Sequence, residues 1–276
     1  MQILHSSNSQ HMATEIATLL HTSITEIKIH KFASGEYICK IDHTLSENIT
    51  IIGSIKTNDD LMEILSIIDA TKRAGACNIT LIAPYIAYGR QDVMQTPYSS
   101  LGIEIIAKIL KAIGVTHLVT VDIHSADSLK LFDMKITHIT AQDILAYYSG
   151  ILLQNVTIIA PDAGSRDRLG TLGVKTIFLN KKRLNSKVTM TLEGNVSGKD
   201  CLIIDDIFDS GGTMITAIDI LKSNGAHSIT GYVTHFLGNV APLPLYITDS
   251  ISAVASTTNL IQIIALAPLI ARALEQ

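Results

Sequence analysis

A cluster of acidic residues followed by two glycines is the part of the chain best suited to chemistry. Asp205 and Asp206 follow the apolar run Cys201–Ile204, and residues Asp209–Thr213 form a turn that leads straight into an amphipathic segment. Adjacent carboxylates can accept hydrogen bonds from vicinal hydroxyl groups, and glycines let a phosphate approach the N–H groups of a helix start. An isolated DSGG would be only a turn and a helix cap. Three acids and GGT directly after a buried strand favour a sugar-phosphate site.

Five further polar segments could contribute to a site. They are KFASGEY at 31–37, GRQD at 89–92, His124, PDAG at 161–164 and NKKR at 180–183. Each has a structural alternative when it is taken singly. Phe32 could be a core residue, and Arg90 with Asp92 could be a surface ion pair worth under ~1 kcal/mol. His124 and Asp162 could serve a strand end and a turn, and a basic run is usually a solvated face.

The elements that must position these residues alternate between helix and strand. An amphipathic helix from about residue 58 precedes a predicted strand at Ile79–Ala83, and another precedes a strand at Leu118–Ile123 that ends at His124. The helix Met214–Leu221 precedes a strand at Ile229–Val233 in the same way. This alternation predicts parallel sheets covered by helices, and such sheets bind ligands at the carboxyl ends of their strands.

The chain divides into two lobes at the segment AQDILAYYSG, which we interpret as a connecting helix after a strand near Lys135–Thr140. We therefore expect an N-terminal domain at residues 1–143 and a C-terminal domain at residues 144–276. The predicted fold class is α/β, with two similar lobes that each hold a mainly parallel sheet flanked by helices.

Composition excludes several classes of protein. The 276 residues are 47% hydrophobic and 17% charged, with a formal net charge of −4, so there is no broad basic surface for nucleic acid or an anionic membrane. The three cysteines lack metal-ligand spacing, and we expect a reducing cytoplasm. The apolar tail Leu260–Ala273 is too short to cross a bilayer and is interrupted by Gln262 and Pro268.

The run IIDDIFDSGGT resembles the phosphoribosyl pyrophosphate signature shared by type I phosphoribosyltransferases and ribose-phosphate diphosphokinases. The chain resembles the diphosphokinases along nearly its whole length, through segments in that family's order: KFASGEY, residues 58–92, TVDIHSADSLKLFD at 120–133, APDAG and NKKR. Its compact segment between Arg183 and Gly198 is similar to the shorter, archaeal-type members. The resemblance implies that both lobes are phosphoribosyltransferase-like.

The implied reaction transfers the β,γ-diphosphoryl group of ATP to the C1 hydroxyl of ribose 5-phosphate, with Mg²⁺ as cofactor and a homo-oligomer as the assembly. A catalytically silent regulatory homologue is one alternative, although His124, Asp162, Lys181 and Arg183 are all present. A type I phosphoribosyltransferase is another, although it would have no use for FASGE and GRQD.

The resemblance also implies a role for each matched residue. The implied catalytic pair is Lys181 and Arg183, and the magnesium-associated pair is His124 and Asp162. The implied ATP residues are Phe32, Ser34, Glu36, Arg90, Gln91 and Asp92. The implied ribose 5-phosphate residues are Asp205, Asp206, Asp209, Ser210, Gly211, Gly212 and Thr213. Ser34 stands where the family usually has an acid or an amide.

Overall fold

The computed structural model describes residues 1–169, 176–184, 187–251 and 259–275, and the side chains of residues 163, 166, 167 and 180–190 lie outside that description. The chain forms two compact units. The first comprises Met1–Ile139, Ser250–Ser252 and Leu266–Gln276, and the second comprises Thr140–Asp249 and Ala253–Ala265. Among the described residues, no helix is both long and apolar enough to span a membrane.

The first unit is built on a five-stranded parallel sheet in the order β1-β4-β5-β6-β7. Its strands are β1 Gln2–His5, β4 Asn48–Ile52, β5 Asn78–Ala83, β6 His117–Val121 and β7 Lys135–Ile139. Its helices are α1 Gln10–Leu19, α2 Asn58–Arg73, α3 Gly102–Ile113, a 3-10 helix at Ala126–Leu131, and the C-terminal helix α8 Ala267–Leu274. A separate antiparallel hairpin comprises β2 Lys28–Lys31 and β3 Tyr37–Lys40.

The second unit is built on a seven-stranded sheet in the order β10-β9-β8-β11-β12-β13-β14, parallel except for the β9–β10 hairpin. Its strands are β8 Thr157–Ala160, β9 Thr176–Leu184, β10 Lys187–Glu193, β11 Asp200–Phe208, β12 Ser228–Phe236, β13 Leu245–Thr248 and β14 Ile261–Ile264. Its helices are α4 Ala141–Tyr147, α5 Ser149–Leu152, α6 Ala163–Leu169 and α7 Gly212–Ser223.

The sequence pattern accounts for these elements. The central strands are β-branched and buried on both faces, as Ile51, Ile82 and Ile203 show, because helices cover both sides of a parallel sheet. Gly114 ends α3 with a φ of 112°, a left-handed conformation that glycine adopts without steric cost. The predicted α/β class with two mainly parallel sheets is confirmed.

Three predicted boundaries differ from the structure. Strand β6 ends at Val121 rather than Ile123, because Asp122 has a φ of 37° and turns the chain out of the sheet. Strand β11 continues past Ile204 to Phe208, paired with β12. The last helix, α8, belongs to the first unit rather than to a domain at 144–276, because its buried residues pack against α1 and β7.

Candidate functional site

Two carboxylates of β11 and one arginine of α6 form the charged centre of the second unit. Asp206 is buried, and its Oδ1 atom lies 2.8 Å from Nη1 of Arg168, which is also largely buried. Asp205 precedes it, and the Asp205 carboxylate accepts a hydrogen bond from the backbone N–H of Asp206 at 3.1 Å. Breaking such a buried pair by removing one partner is strongly destabilising, since the other charge stays buried.

Asp162 joins this cluster from the end of β8. Its Oδ1 atom accepts a hydrogen bond from the backbone N–H of Ser165 at 2.9 Å, which satisfies one donor at the start of α6. The Ser165 hydroxyl lies between two carboxylates, 3.0 Å from Oδ1 of Asp162 and 3.3 Å from Oδ1 of Asp205. The loop after β8 and the carboxyl half of β11 therefore bring both predicted acidic segments together.

The crowding of carboxylates changes the acidity of Asp205. Burial raises the pKa of the Asp205 carboxyl well above its usual value, and the negative charges of Asp206 and Asp162 raise this pKa further. The Arg168 guanidinium acts in the opposite direction and offsets only part of the effect. The cluster thus favours a ligand that brings hydroxyl donors or positive charge.

The start of α7 lies directly after these acids and has the features of an anion site. Gly211 precedes the helix with a φ of 79°, and as a glycine it has no side chain that could cap the helix. The first turn, Gly212–Met214, contains no acidic residue. Backbone N–H groups and the positive end of the helix dipole are therefore directed at the position that a phosphate would take.

The ring of Phe208 packs against this turn. A Cβ atom built on Gly211 would lie 2.7 Å from Cζ of Phe208, and one built on Gly238 would lie 2.6 Å from Cε1 of the same ring. The Phe208 ring stacks on Phe236 with centroids 5.1 Å apart. The backbone carbonyl of Phe208 accepts a hydrogen bond from the Leu237 N–H at 2.7 Å. Both glycines are needed because the buried ring fills the space that a side chain would take.

Lys181 and Arg183 lie on β9, in the hairpin that extends the sheet. Their backbones pair with Met190 and Val188 of β10. Their side chains lie outside the described residues, so their assignment to catalysis stays a prediction.

In the first unit, the predicted nucleotide residues of the FASGE segment lie in the turn of the β2–β3 hairpin. The Phe32 N–H donates to the Glu36 carbonyl at 2.8 Å, and Gly35 turns the chain with a φ of 92°. The Ser34 hydroxyl donates to Oε2 of Glu36 at 2.8 Å. The Phe32 ring is 46% exposed and meets His30 edge-on, so Phe32 is not the core residue of the structural alternative.

The GRQD segment is held by the starts of two helices. Tyr88, with a φ of 66°, donates its hydroxyl to Oδ1 of Asn58 in α2 at 2.5 Å. A Cβ atom on Gly102, the first residue of α3, would lie 2.9 Å from Cβ of Tyr88 and 2.6 Å from Oε1 of Gln91, so the loop packs closely on the start of α3. The neighbouring residue Asp59 pairs with Lys31 of the hairpin. Both predicted ATP segments therefore contact the start of α2.

His124 lies beside the same loop. It is partly buried, and its Cβ atom is 3.9 Å from the position of a Cβ atom on Gly89. Within the first unit, the structure thus groups His124 with the GRQD segment at the carboxyl edge of the sheet.

Comparison with known proteins agrees with this geometry. Residues 1–114 match the N-terminal domain of ribose phosphate pyrophosphokinase, and residues 129–250 match the phosphoribosyl transferase domain. The ribose-phosphate pyrophosphokinase of Rhizobium meliloti is 33% identical over 299 aligned residues, covering 100% of this chain and 96% of that protein. The chain belongs to the ribose-phosphate pyrophosphokinase family.

Two further relatives of the ribose-phosphate pyrophosphokinase family show how much of the chain is shared. The ribose-phosphate pyrophosphokinase of Ureaplasma parvum is 36% identical over 84% of this chain and 74% of that protein. The crystal structure of phosphoribosylpyrophosphate synthetase from Mycobacterium smegmatis superposes with a TM-score of 0.86 at 26% identity, covering 99% of this chain and 97% of that one. The family resemblance predicted from the motifs and the fold of two phosphoribosyltransferase-like lobes are confirmed.

Residues of this ribose-phosphate pyrophosphokinase family member that the motifs did not predict complete the site of the second unit. They are Ser165, Arg168, Phe208 and Gly238. A signal was present for Ser165, since a serine three residues after Asp162 is typical of a helix start. For the contacts of Arg168 with Asp206 and of Phe208 with Gly238 no local pattern is present, because the partners lie on elements distant in sequence.

Proposed function

We propose that the chain transfers the β,γ-diphosphoryl group of ATP to ribose 5-phosphate, giving 5-phospho-ribose 1-diphosphate and AMP. The C1 hydroxyl oxygen forms a bond to the β-phosphorus, the bond from this phosphorus to the α–β bridging oxygen breaks, and the hydroxyl proton is released. One observation carries the proposal: Asp205 and the buried Asp206 lie on β11 a few residues before Gly211, which precedes α7 in a left-handed conformation.

Ribose 5-phosphate would bind along this segment. The carboxylates of Asp205 and Asp206 accept hydrogen bonds from the ribose hydroxyls, and the turn Asp209–Thr213 surrounds the 5-phosphate. The raised pKa of Asp205 supports a partner with hydroxyl donors, because a hydrogen bond to the ionised carboxylate offsets the cost of its burial. Ser210, Gly211 and Gly212 contribute backbone N–H groups rather than charge.

ATP would bind through the first unit. Phe32 presents an exposed ring that can stack on a base, and Arg90 presents an exposed guanidinium that can bind a phosphate. The hydrogen bond between Ser34 and Glu36 orients the Glu36 carboxylate, which we assign to the adenosine end. Gln91 and Asp92 complete the set from the GRQD loop.

Lys181 and Arg183 would stabilise the charge that develops on the transferring group. Diphosphoryl transfer needs positioning and charge neutralisation more than covalent participation by the protein. Two cations on a hairpin next to β8 suit that role, because β8 ends at the acidic cluster.

Mg²⁺ is the cofactor that we propose. The donors present fit this ion, because the Ser165 hydroxyl, 3.0 Å from Asp162 and 3.3 Å from Asp205, groups carboxylate oxygens of the kind that Mg²⁺ prefers. His124 offers a nitrogen, which suits a water-mediated contact better than direct binding to Mg²⁺. When bound with ATP, the ion neutralises charge on the triphosphate.

We also propose that the protein works as a homo-oligomer in the cytoplasm. The cytoplasmic assignment is supported by its cysteines, since Cys39, Cys77 and Cys201 are free thiols, as expected in a reducing compartment. The oligomer is a proposal from the family resemblance, and sedimentation analysis of the purified chain tests it.

Incubation with ribose 5-phosphate, Mg²⁺ and ATP labelled at the γ-phosphate tests the reaction. We expect label in 5-phospho-ribose 1-diphosphate, AMP in equal amount, and loss of both products when EDTA removes the metal. Release of label as inorganic phosphate would indicate hydrolysis instead. A folded protein that yields no product under any of these conditions would support the silent regulatory homologue.

A further inference from the structure

The loop that carries His124 is held in place from the neighbouring strand β7. The Asp122 N–H donates to the carbonyl of Ile139 at 2.8 Å, and the Ile123 N–H donates to Nε2 of His138 at 3.1 Å. Asp122 and Ile123 are both buried, and Asp122 has a φ of 37°, a region that residues other than glycine seldom adopt. Two consecutive N–H groups thus depend on acceptors from the last two residues of β7.

The register of the sheet explains why a side chain is needed. His138 lies opposite Thr120 and Ile139 lies opposite Val121, the last residue of β6. After Val121 the chain turns away, so the backbone ladder supplies an acceptor for the Asp122 N–H, but the N–H of Ile123 donates to a side chain instead. The His138 ring provides this acceptor, and a buried N–H without one would be costly.

We propose that His138 is a positioning residue, whose Nε2 atom fixes the backbone at Ile123 and thereby holds His124 beside the GRQD loop. This inference rests on the proposed function, which assigns His124 to ATP and Mg²⁺. It adds a residue outside the sequence motifs and requires that Nε2 of His138 carries no hydrogen, since it accepts the bond.

Four variants test the inference against wild type. His138→Phe keeps a ring but removes the acceptor, His138→Gln places an amide oxygen near the position of Nε2, and His138→Asn has an acceptor one methylene too short. His117→Phe is the matched control, because Nε2 of His117 bonds Oγ1 of Thr137 at 2.9 Å in the same strand pair, at the opposite end of β6.

We expect His138→Phe and His138→Asn to lower kcat roughly 10- to 100-fold, as a displaced catalytic loop does, with little change in the KM for ribose 5-phosphate. His138→Gln should recover most of kcat, and His117→Phe should match wild type. A normal kcat in His138→Phe, or a Gln variant as impaired as the Phe variant, would overturn the inference.

Amide hydrogen exchange separates this inference from the proposed function. The Ile123 amide should exchange faster in His138→Phe than in wild type and should be unchanged in His117→Phe. An inactive wild-type protein with this exchange pattern would refute the reaction but not the role of His138 in holding the loop. Equal protection of Ile123 in all variants would refute that role even in an active enzyme.

Discussion

The turn from β4 to α2 in the first unit and the turn from β11 to α7 in the second lie at the same point of the topology. Each follows a central parallel strand that comes after a β-hairpin, and each leads into the next helix. In the first unit, Thr57 caps α2, and Asp60 completes a capping box by accepting the Thr57 N–H at 2.7 Å. Asp59 and Asp60 also place two negative charges in the first helical turn.

The second unit has the opposite chemistry at this point. Gly211 replaces the capping threonine and adopts a left-handed conformation, and the first turn of α7 has no acid. In the first unit, the Thr57 hydroxyl accepts the Asp60 N–H of α2, and the Asp60 carboxylate accepts the N–H groups of Lys56 and Thr57. Gly211 offers no such side chain to α7, which suits an external anion. The difference teaches that a repeated fold does not by itself create a phosphate site. The residues of one turn decide where the phosphate binds.

The hairpins extend this comparison and lead to the largest expected effect. We assign the β2–β3 hairpin to binding of the ATP ground state and the β9–β10 hairpin to charge in the transition state. Lys181→Ala or Arg183→Ala should therefore lower kcat roughly 10²-fold or more, about 3 kcal/mol, with a smaller change in KM. Phe32→Ala should mainly raise the KM for ATP. Steady-state kinetics with both substrates varied separates these patterns.

Two controls accompany this measurement. Asp206→Ala should raise the KM for ribose 5-phosphate, since its proposed partner is a hydroxyl group present before the reaction, and it should also lower stability, because it removes one partner of the buried Arg168–Asp206 pair. Thermal unfolding of the Lys181 and Arg183 variants should match wild type, because we assign both cations to the transferring group rather than to the fold. Near-normal kcat in both variants would contradict the catalytic assignment and would favour the structural alternative, in which the basic run is only a solvated face.

Gly211 and Gly212, in the turn from β11 to α7, provide the next test. Gly211→Ala should lower both stability and activity, by about 1–3 kcal/mol in unfolding free energy, because its positive φ disfavours a side chain and its Cβ would meet Phe208. Gly212→Ala is the matched control, since its nearest neighbour would be Oγ of Ser210 at 4.0 Å. Equal melting temperatures for the two variants would contradict this account of the turn.

A single negative charge added to the β11–α7 turn should make it resemble the β4–α2 turn. Thr213 is the second residue of α7, as Asp59 is of α2. Thr213→Asp should raise the KM for ribose 5-phosphate about 10-fold at low salt, because the new carboxylate repels the phosphate and occupies the helix dipole. Thr213→Asn, which is isosteric with the Asp variant and uncharged, should stay closer to wild type. An equal KM for the two variants would mean that charge does not control binding here.

The smallest expected effect is that of a substitution in the β4–α2 turn. Thr57→Ala removes the cap of α2 and should destabilise the protein by about 1 kcal/mol without changing the KM for ribose 5-phosphate. Chemical denaturation measures the first quantity and initial rates measure the second. A rise in this KM that matched the effect of Thr213→Asp would break the distinction between the two turns.

Local residues were sufficient to predict much of the molecule. Alternating helices and strands predicted parallel sheets, and the run from Asp205 to Thr213 predicted a helix start suited to phosphate. The helix Met214–Leu221 was also predicted near its observed position, Gly212–Ser223. These features depend on contacts within a few residues, so periodicity, caps and turn glycines report them directly.

Tertiary structure alone decided the contacts that hold the site together. The pairing of Arg168 with Asp206, the packing of the Phe208 ring against Gly238, and the bond from Ile123 to His138 each join separate elements. So does the return of α8 to the first unit. Sequence spacing contains the residue types for these contacts but not their partners, because strand order and register determine which side chains meet across a sheet.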